Sequence, residues 1–224
     1  LTIIDQTNGN VVALIGGRGV KETSRSLNRA TNTKRQPGSC FKVLAAYAPA
    51  LNEYDMTLAS VYNDAPFKYS TGAPVHNWYG GYKGICSFRY GIEQSLNIIA
   101  VKTITQITPE LGYDYLQQFG FTTLVEHRID PDGRPHTDIT QALALGGITD
   151  GVTNMQLNGA YATIANGGVY NEPILYTKIV DHDGNVLIDK RASQKSHQVL
   201  KDTTAWLLTS AMQDVMTKGT GGRA

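Results

Sequence analysis

Cysteine is scarce in this 224-residue chain: Cys40 and Cys86 are the two. That excludes a scaffold stapled by several disulfides. It leaves two readings, a single bridge in an oxidising compartment or two small buried apolar residues. The five histidines (His76, His127, His136, His182, His197) are scattered, with none of the close ligand pairs of zinc sites, so no metal and no cofactor is expected. No apolar run approaches the ~20 residues of a membrane span, and no basic leader opens the chain. The formal net charge is +1, which provides no electrostatic case for nucleic acid or a membrane surface. Both ends read as internal to a longer polypeptide: "LTIID" enters a strand at once, and "TKGTGGRA" stops in a glycine-rich stretch.

What remains is an ordinary globular composition, 41% hydrophobic and 17% charged, sufficient for one sizeable core or two small ones. "LTIIDQTNGNVVALIGG" predicts two strands around Asn8-Gly9, a preferred pair for a tight hairpin. The polar "RGVKETSRSLNRATNTKRQ" predicts a solvated loop. Pro37-Gly38 opens a predicted helix with Phe41, Leu44, Ala45, Ala48 and Leu51 on one buried face, and Pro49 is expected to kink or shorten it. Residues 52–84 read as a long irregular segment, a kind usually functional or poorly ordered. Helix resumes near Ser87, and Thr108-Pro109-Glu110 is the start signal of another that ends near Phe119-Gly120. A second long loop, "RIDPDGRPHTDIT", follows. "TNMQLNGAYATIANGG" predicts a capped helix closed by Asn166-Gly167-Gly168. A second hairpin turns at Asp183-Gly184, and Asp202 caps a last helix ended by Gly219. Strand pair, helices, hairpin and helix in this order indicate an α+β fold.

"RQPGSCFK" places Ser39 three residues before Lys42. On a helix these positions share a face, so hydroxyl and amine can meet. At the helix start, backbone N–H groups also favour developing negative charge. Lysine serves as a base only when burial or a neighbouring cation lowers its pKa. S-x-x-K alone arises by chance roughly once in a chain this long. It gains meaning with S-x-N and K-T-G, its companions in penicillin-binding proteins and class A β-lactamases. S-x-N occurs as Ser26-Leu27-Asn28, in the polar loop before Ser39, and as Ser95-Leu96-Asn97, at a helix end just before "IIAVK". The first reads as coincidence; the second stands where a serine and an amide can be held against Ser39.

The segments around these triplets carry a wider resemblance. "IDQTNGNVVALIGGRG", "RQPGSCFK", "IEQSLNIIAVK" and "ALGGITDGVTNMQLNGAYATIANGGVYNEPI" resemble, in the family's order, the transpeptidase domain of class A (bifunctional) penicillin-binding proteins. They span nearly the whole chain. The resemblance implies a penicillin-recognising serine transpeptidase fold, related to β-lactamases, with an antiparallel sheet, helices packed on it and a helical subdomain. It implies that Ser39 forms an acyl-enzyme, Lys42 takes its proton, Ser95 relays a proton to or from the leaving amine, and Asn97 binds the substrate amide. The Ser39 N–H becomes one oxyanion donor. Trp78 and Asn77 lie where the family lines its substrate groove. The implied partners are a peptidoglycan stem peptide ending in D-Ala-D-Ala, and β-lactam antibiotics.

K-T-G is absent: "KGTGG" at 218–222 has similar letters in another order. The expected unit is therefore residues 1–224 as a partial transpeptidase domain ending before the K-T-G strand. The remaining strands would be lost or carried on a companion polypeptide. A β-lactamase is the first alternative, with Glu93 and Asn154 the nearest candidates for its extra base. Glu93 overlaps the S-x-N motif, and asparagine cannot act as a base. A non-catalytic β-lactam-sensing module is the second. The substrate implies a location outside the cytoplasmic membrane, anchored through a part absent here. Cys40 adjoins Ser39, but successive helical positions diverge by about 100°, so Cys40 is expected to be packed rather than a second nucleophile.

Overall fold

In the computed structural model, which describes residues 1–20 and 22–223, the chain opens with an antiparallel hairpin of β1 (Thr2–Ile4) and β2 (Val11–Leu14). Gly9 sits in the turn at φ +77°, a conformation glycine adopts without a Cβ clash. The polar segment that follows is loop, as its composition predicts. Lys21 and Ala224 lie outside the described residues.

The next helix is the centre of the molecule. Its first residue is Cys40; Pro37 lies outside it, because Gly38 takes a left-handed φ of +58° and turns the chain beforehand. It then widens into a π-helical stretch, Lys42–Tyr47, before continuing as α1, Ala48–Glu53. Pro49 accounts for the widening. It lacks an N–H, and its ring crowds the carbonyl four residues back. The Ala48 N–H accordingly reaches back five residues to the Val43 carbonyl. Pro49 thus reshapes the helix instead of ending it. Every residue from Phe41 to Asn52 is buried, so the helix is enclosed all round rather than on one face.

Residues 52–84 are more ordered than their composition suggests. Short strands β3 (Val61–Asp64), β4 (Phe67–Lys68) and β5 (Pro74–Val75) form there, and β3 pairs with β6 (Gly84–Ser87). Helix α2 (Phe88–Glu93) breaks at Gln94-Ser95-Leu96 before α3 (Asn97–Ile107) begins. The Thr108 side chain accepts from the Leu111 N–H to start α4 (Pro109–Gln118). The second long loop contains the small ribbon β7 (Arg128–Ile129) and β8 (Pro135–His136). Helix α5 (Asn154–Ala165) opens with a reciprocal capping box between Thr153 and Gln156. Strand β9 (Val169–Asn171) pairs with β12 (Ser196–Gln198), and β10 (Lys178–Val180) with β11 (Val186–Asp189). The last helix, α6 (Asp202–Thr217), is capped at Lys201 without a side-chain bond. Asp202 is instead its first residue, an acid suited to the positive helix end.

The mixture of helix and strand is the expected α+β class, and the described strands pair two by two. The core gathers Phe41, Leu44 and Tyr47 with Phe88, Ile99, Ile104, Leu116 and Phe119. Phe41 meets Phe121 edge-on at 5.0 Å, and Tyr47 meets Phe88 at 5.2 Å. The Tyr47 hydroxyl is buried without a hydrogen-bond partner among the described residues. An unsatisfied buried hydroxyl costs about 1–3 kcal/mol. Tyr47→Phe is therefore predicted to leave the thermal unfolding midpoint unchanged or to raise it. A clear fall would show that the hydroxyl is bonded.

Candidate active site

Lys42 is 3% exposed, so its amine is held away from bulk water. Its Nζ donates to the Ser95 carbonyl at 2.6 Å and to Ser95 Oγ at 2.9 Å. Burial disfavours the ammonium form and lowers its pKa from 10.5 to about 8. Lys42 thus meets the serine of the S-x-N motif, whereas among the described residues no hydrogen bond joins its amine to the Ser39 hydroxyl. Ser95 occupies the break between α2 and α3 at φ +53°, a left-handed conformation that costs a non-glycine residue roughly 1–2 kcal/mol. Such strain persists where surrounding contacts determine it, and here Lys42 bonds both the carbonyl and the hydroxyl of the strained residue.

Ser39 stands exposed at the mouth of the central helix. Its carbonyl accepts from the Lys42 N–H at 3.2 Å, which fixes the turn between them. Its hydroxyl and its N–H have no hydrogen-bond partner among the described residues. The turn is braced from residues 146–152, where Arg35 and Val152 exchange backbone hydrogen bonds at 2.9 Å. The Gln36 carboxamide bonds both the N–H and the carbonyl of Ile148. Gly146, at φ +72°, packs so closely that an added Cβ would lie 2.4 Å from the Gly38 nitrogen.

Asn97 donates through Nδ2 to the His76 carbonyl at 2.6 Å. Trp78 is 64% exposed, and its indole N–H donates to the Gln94 carbonyl at 2.9 Å. Asn77 is engaged within the protein. Its Nδ2 donates to Asp64 at 2.7 Å and to the Tyr79 hydroxyl at 3.0 Å, and its Oδ1 accepts the Asn97 N–H at 2.9 Å. It also accepts the Ile98 N–H at 3.3 Å, so its carboxamide has no hydrogen-bonding capacity left to offer. Ser39, Lys42, Ser95, Asn97, Trp78 and Asn77 are thereby linked through one loop, one helix break and one helix start. Gln36, Gly146 and Asp64 join them, and no local pattern in the sequence marks those three.

Cys40 and Cys86 are unpaired, the first exposed and the second buried. The exposure of Cys40 corrects the expectation that it is packed. It is the first residue of the helix, beside a surface cleft shared with Leu157 and Tyr161. Partial desolvation nevertheless raises its thiol pKa, so it is no ready nucleophile. Asn154 accepts from the Thr2 hydroxyl at 2.9 Å, and Glu93 accepts from Gln94 at 2.9 Å.

Fold and site together describe an α+β domain in which a buried lysine joins a strained serine beside an exposed one. The model of the family described as penicillin binding protein transpeptidase domain matches residues 1–224, and the chain belongs to that family. It is similar to penicillin-binding protein 1A of Streptococcus oralis, 34% identical over 98% of this chain and 33% of the relative. It is also similar to penicillin-binding protein 1F of Bacillus subtilis, 37% identical over 97% of this chain and 28% of the relative. It therefore spans about a third of the length of these relatives. Among solved structures, the PonA1 protein of Mycobacterium tuberculosis in complex with penicillin V superposes with a TM-score of 0.79. That match has 26% identity and covers 96% of this chain and 55% of that one. Penicillin-binding protein 1A of Haemophilus influenzae gives 0.78 at 28% identity, covering 99% of this chain and 36% of that one.

Two outcomes are expected. Between pH 8 and 10.5 the unfolded chain binds more protons at Lys42 than the folded one, so stability rises with pH across that window. Below it both states are protonated and the cost of the buried charge is carried in full. The stability deficit relative to Lys42→Met, measured by denaturant unfolding, therefore shrinks as pH rises through the window; a constant difference would contradict the burial. Thiol labelling of the native protein modifies Cys40 before Cys86, and more slowly than a free thiol; labelling of Cys86 first would contradict the packing.

Proposed function

We propose that this chain carries the serine centre of a D,D-transpeptidase that cross-links peptidoglycan stem peptides and is trapped by β-lactams. The observation that carries the reading is the buried Lys42 amine, with its pKa lowered to about 8, bonded to Ser95 and one turn from Ser39. Near neutral pH such an amine is a usable base.

Ser39 Oγ attacks the penultimate carbonyl of D-Ala-D-Ala while Lys42 takes its proton. The new C–O bond forms, the C–N bond breaks, and D-Ala leaves with a proton relayed through Ser95. The unbonded Ser39 N–H supplies one oxyanion donor. Asn97 presents its amide to the substrate, and exposed Trp78 walls the groove. An amine of a second stem then attacks the ester, and the proton it loses returns to Ser39. A β-lactam follows the first half and stalls there, because its leaving amine stays attached.

Recognition of the substrate carboxylate and the second oxyanion donor belong to a K-T-G strand that these residues do not contain. The active protein faces the outside of the cytoplasmic membrane, anchored by a segment outside this chain; among the described residues no helix is long and apolar enough to cross a membrane. Hydrolysis is disfavoured because Glu93 overlaps the S-x-N motif and the amide of Asn154 cannot act as a base.

Intact-mass analysis and peptide mapping with a fluorescent penicillin test the reading. The expected result is a long-lived adduct on Ser39, absent in Ser39→Ala, and acylation at least ~10²-fold slower in Lys42→Met. An adduct on another residue would overturn the mechanism. One that vanished within seconds would turn it into hydrolysis.

A further inference from the structure

The corner that presents Ser95 is held from outside its own helices. Helix α3 has no local side-chain cap: Leu96 occupies the cap position and contributes no side-chain bond. Its first N–H groups are instead satisfied by Asn77 Oδ1, from a loop about twenty residues earlier, at 2.9 Å to Asn97 and 3.3 Å to Ile98. The next residue of that loop, Trp78, holds the Gln94 carbonyl. The loop therefore grips the chain on both sides of Ser95.

Asp64 lies behind this grip and is fully buried. Its Oδ1 accepts Asn77 Nδ2 at 2.7 Å, and its Oδ2 accepts the Tyr79 hydroxyl at 2.6 Å and the Lys83 N–H at 2.8 Å. Its two oxygens thus meet three donors, and toward these neighbours the side chain acts as an acceptor. That dictates which way the Asn77 carboxamide points. An asparagine can exchange its oxygen and nitrogen by rotation, and the surrounding network decides between the two. With an acceptor at Asp64, the Asn77 NH₂ must point there and its oxygen must point at α3. Reversed, Asn77 would set two N–H donors against the N–H groups of Asn97 and Ile98.

We propose that Asp64 is a positioning residue for acyl transfer: by fixing the orientation of Asn77 it anchors the start of α3 and, through it, Ser95 and Asn97. The proposal rests on the assignment of Ser39, Lys42 and Ser95 as the acylation centre. Asp64 touches none of the reacting atoms. Its effect belongs on the acylation step, where small displacements of a catalytic group cost up to ~10² in rate.

The test exchanges the two side chains. In Asp64→Asn the new NH₂ confronts the Asn77 NH₂, and either Asn77 turns and uncaps α3 or the contact is lost. In Asn77→Asp two carboxylates face one another. In the double variant Asp64→Asn/Asn77→Asp the bonds between the two side chains and to α3 can be remade, and only the Asn77 donation to the Tyr79 hydroxyl is lost. One oxygen of the carboxylate introduced at position 77 accepts from the α3 N–H groups, where the helix dipole favours an anion. Its other oxygen accepts from the carboxamide NH₂ introduced at position 64. The carbonyl oxygen of that carboxamide receives Tyr79 and Lys83.

Acylation by a fluorescent penicillin is followed by stopped flow in the intact protein, separating the acylation rate constant from initial binding, with thermal midpoints recorded alongside. The expected result is an acylation rate constant at least tenfold lower in Asp64→Asn, with binding little changed, and recovery to within about threefold of wild type in the double variant. An Asp64→Asn rate within twofold of wild type overturns the proposal. So does a double variant that fails to recover, whether or not the single variants fold. A fall in thermal midpoint with an unaltered acylation rate constant also overturns it, because that would be a structural role alone. Ser39→Ala separates the two levels: if it still acylates, the assignment of the nucleophile fails, whatever Asp64 does.

Discussion

The arrangement depends on a lysine amine that has been taken out of water and given one partner residue. A buried ammonium is costly unless bonded, and Lys42 resolves this through a lowered pKa and two hydrogen bonds to Ser95. Those bonds also tie the central helix to the α2–α3 break, so segments more than fifty residues apart in sequence are held together. Lys42 has little freedom to depart, because the helix that carries it is buried along its length. In its proposed role as base, an amine held this way needs no rearrangement at the moment of reaction, the condition under which electrostatic preorganisation is most effective.

Strain and support are paired around that contact. Gly38 and Ser95 both take left-handed conformations, one beside each predicted reacting group. The first is natural for glycine and the second is not. Each is braced from a distant segment: Gly38 by Gly146 and the Gln36–Ile148 bonds, Ser95 by Lys42 and the Asn77–Trp78 loop. The π-helical stretch belongs to the same arrangement, since Pro49 widens the turn that carries Lys42.

Local chemistry made much of this legible in the sequence. Asn8-Gly9 and Asp183-Gly184 mark their hairpins, Thr108-Pro109-Glu110 and Thr153 mark helix starts, and Ser39, Lys42, Ser95 and Asn97 mark the candidate site. Two of the failures share one physical origin, long-range contact. Asp64 is isolated in sequence and acquires meaning only when Asn77, Tyr79 and Lys83 converge on it. Gln36 needs Ile148, and nothing beside it announces that partner. Pro37 has the signature of a helix start, but Gly38 turns left-handed and moves the start to Cys40. Cys40 has packed neighbours, yet the first residue of a buried helix still opens to solvent. The short strands between residues 61 and 75 have too few residues for an alternating pattern to register.

The central claim is that Lys42 is a buried amine of lowered pKa held beside Ser95. The direct measurement is a ¹³C NMR titration of the lysine Cε carbons in the folded protein, with the Lys42 signal assigned by its absence in Lys42→Arg. The account predicts one lysine that titrates with a midpoint near 8. A Lys42 signal that titrates with its ordinary value of 10.5 would show a charged, hydrated amine, and would contradict both the burial and the role as base.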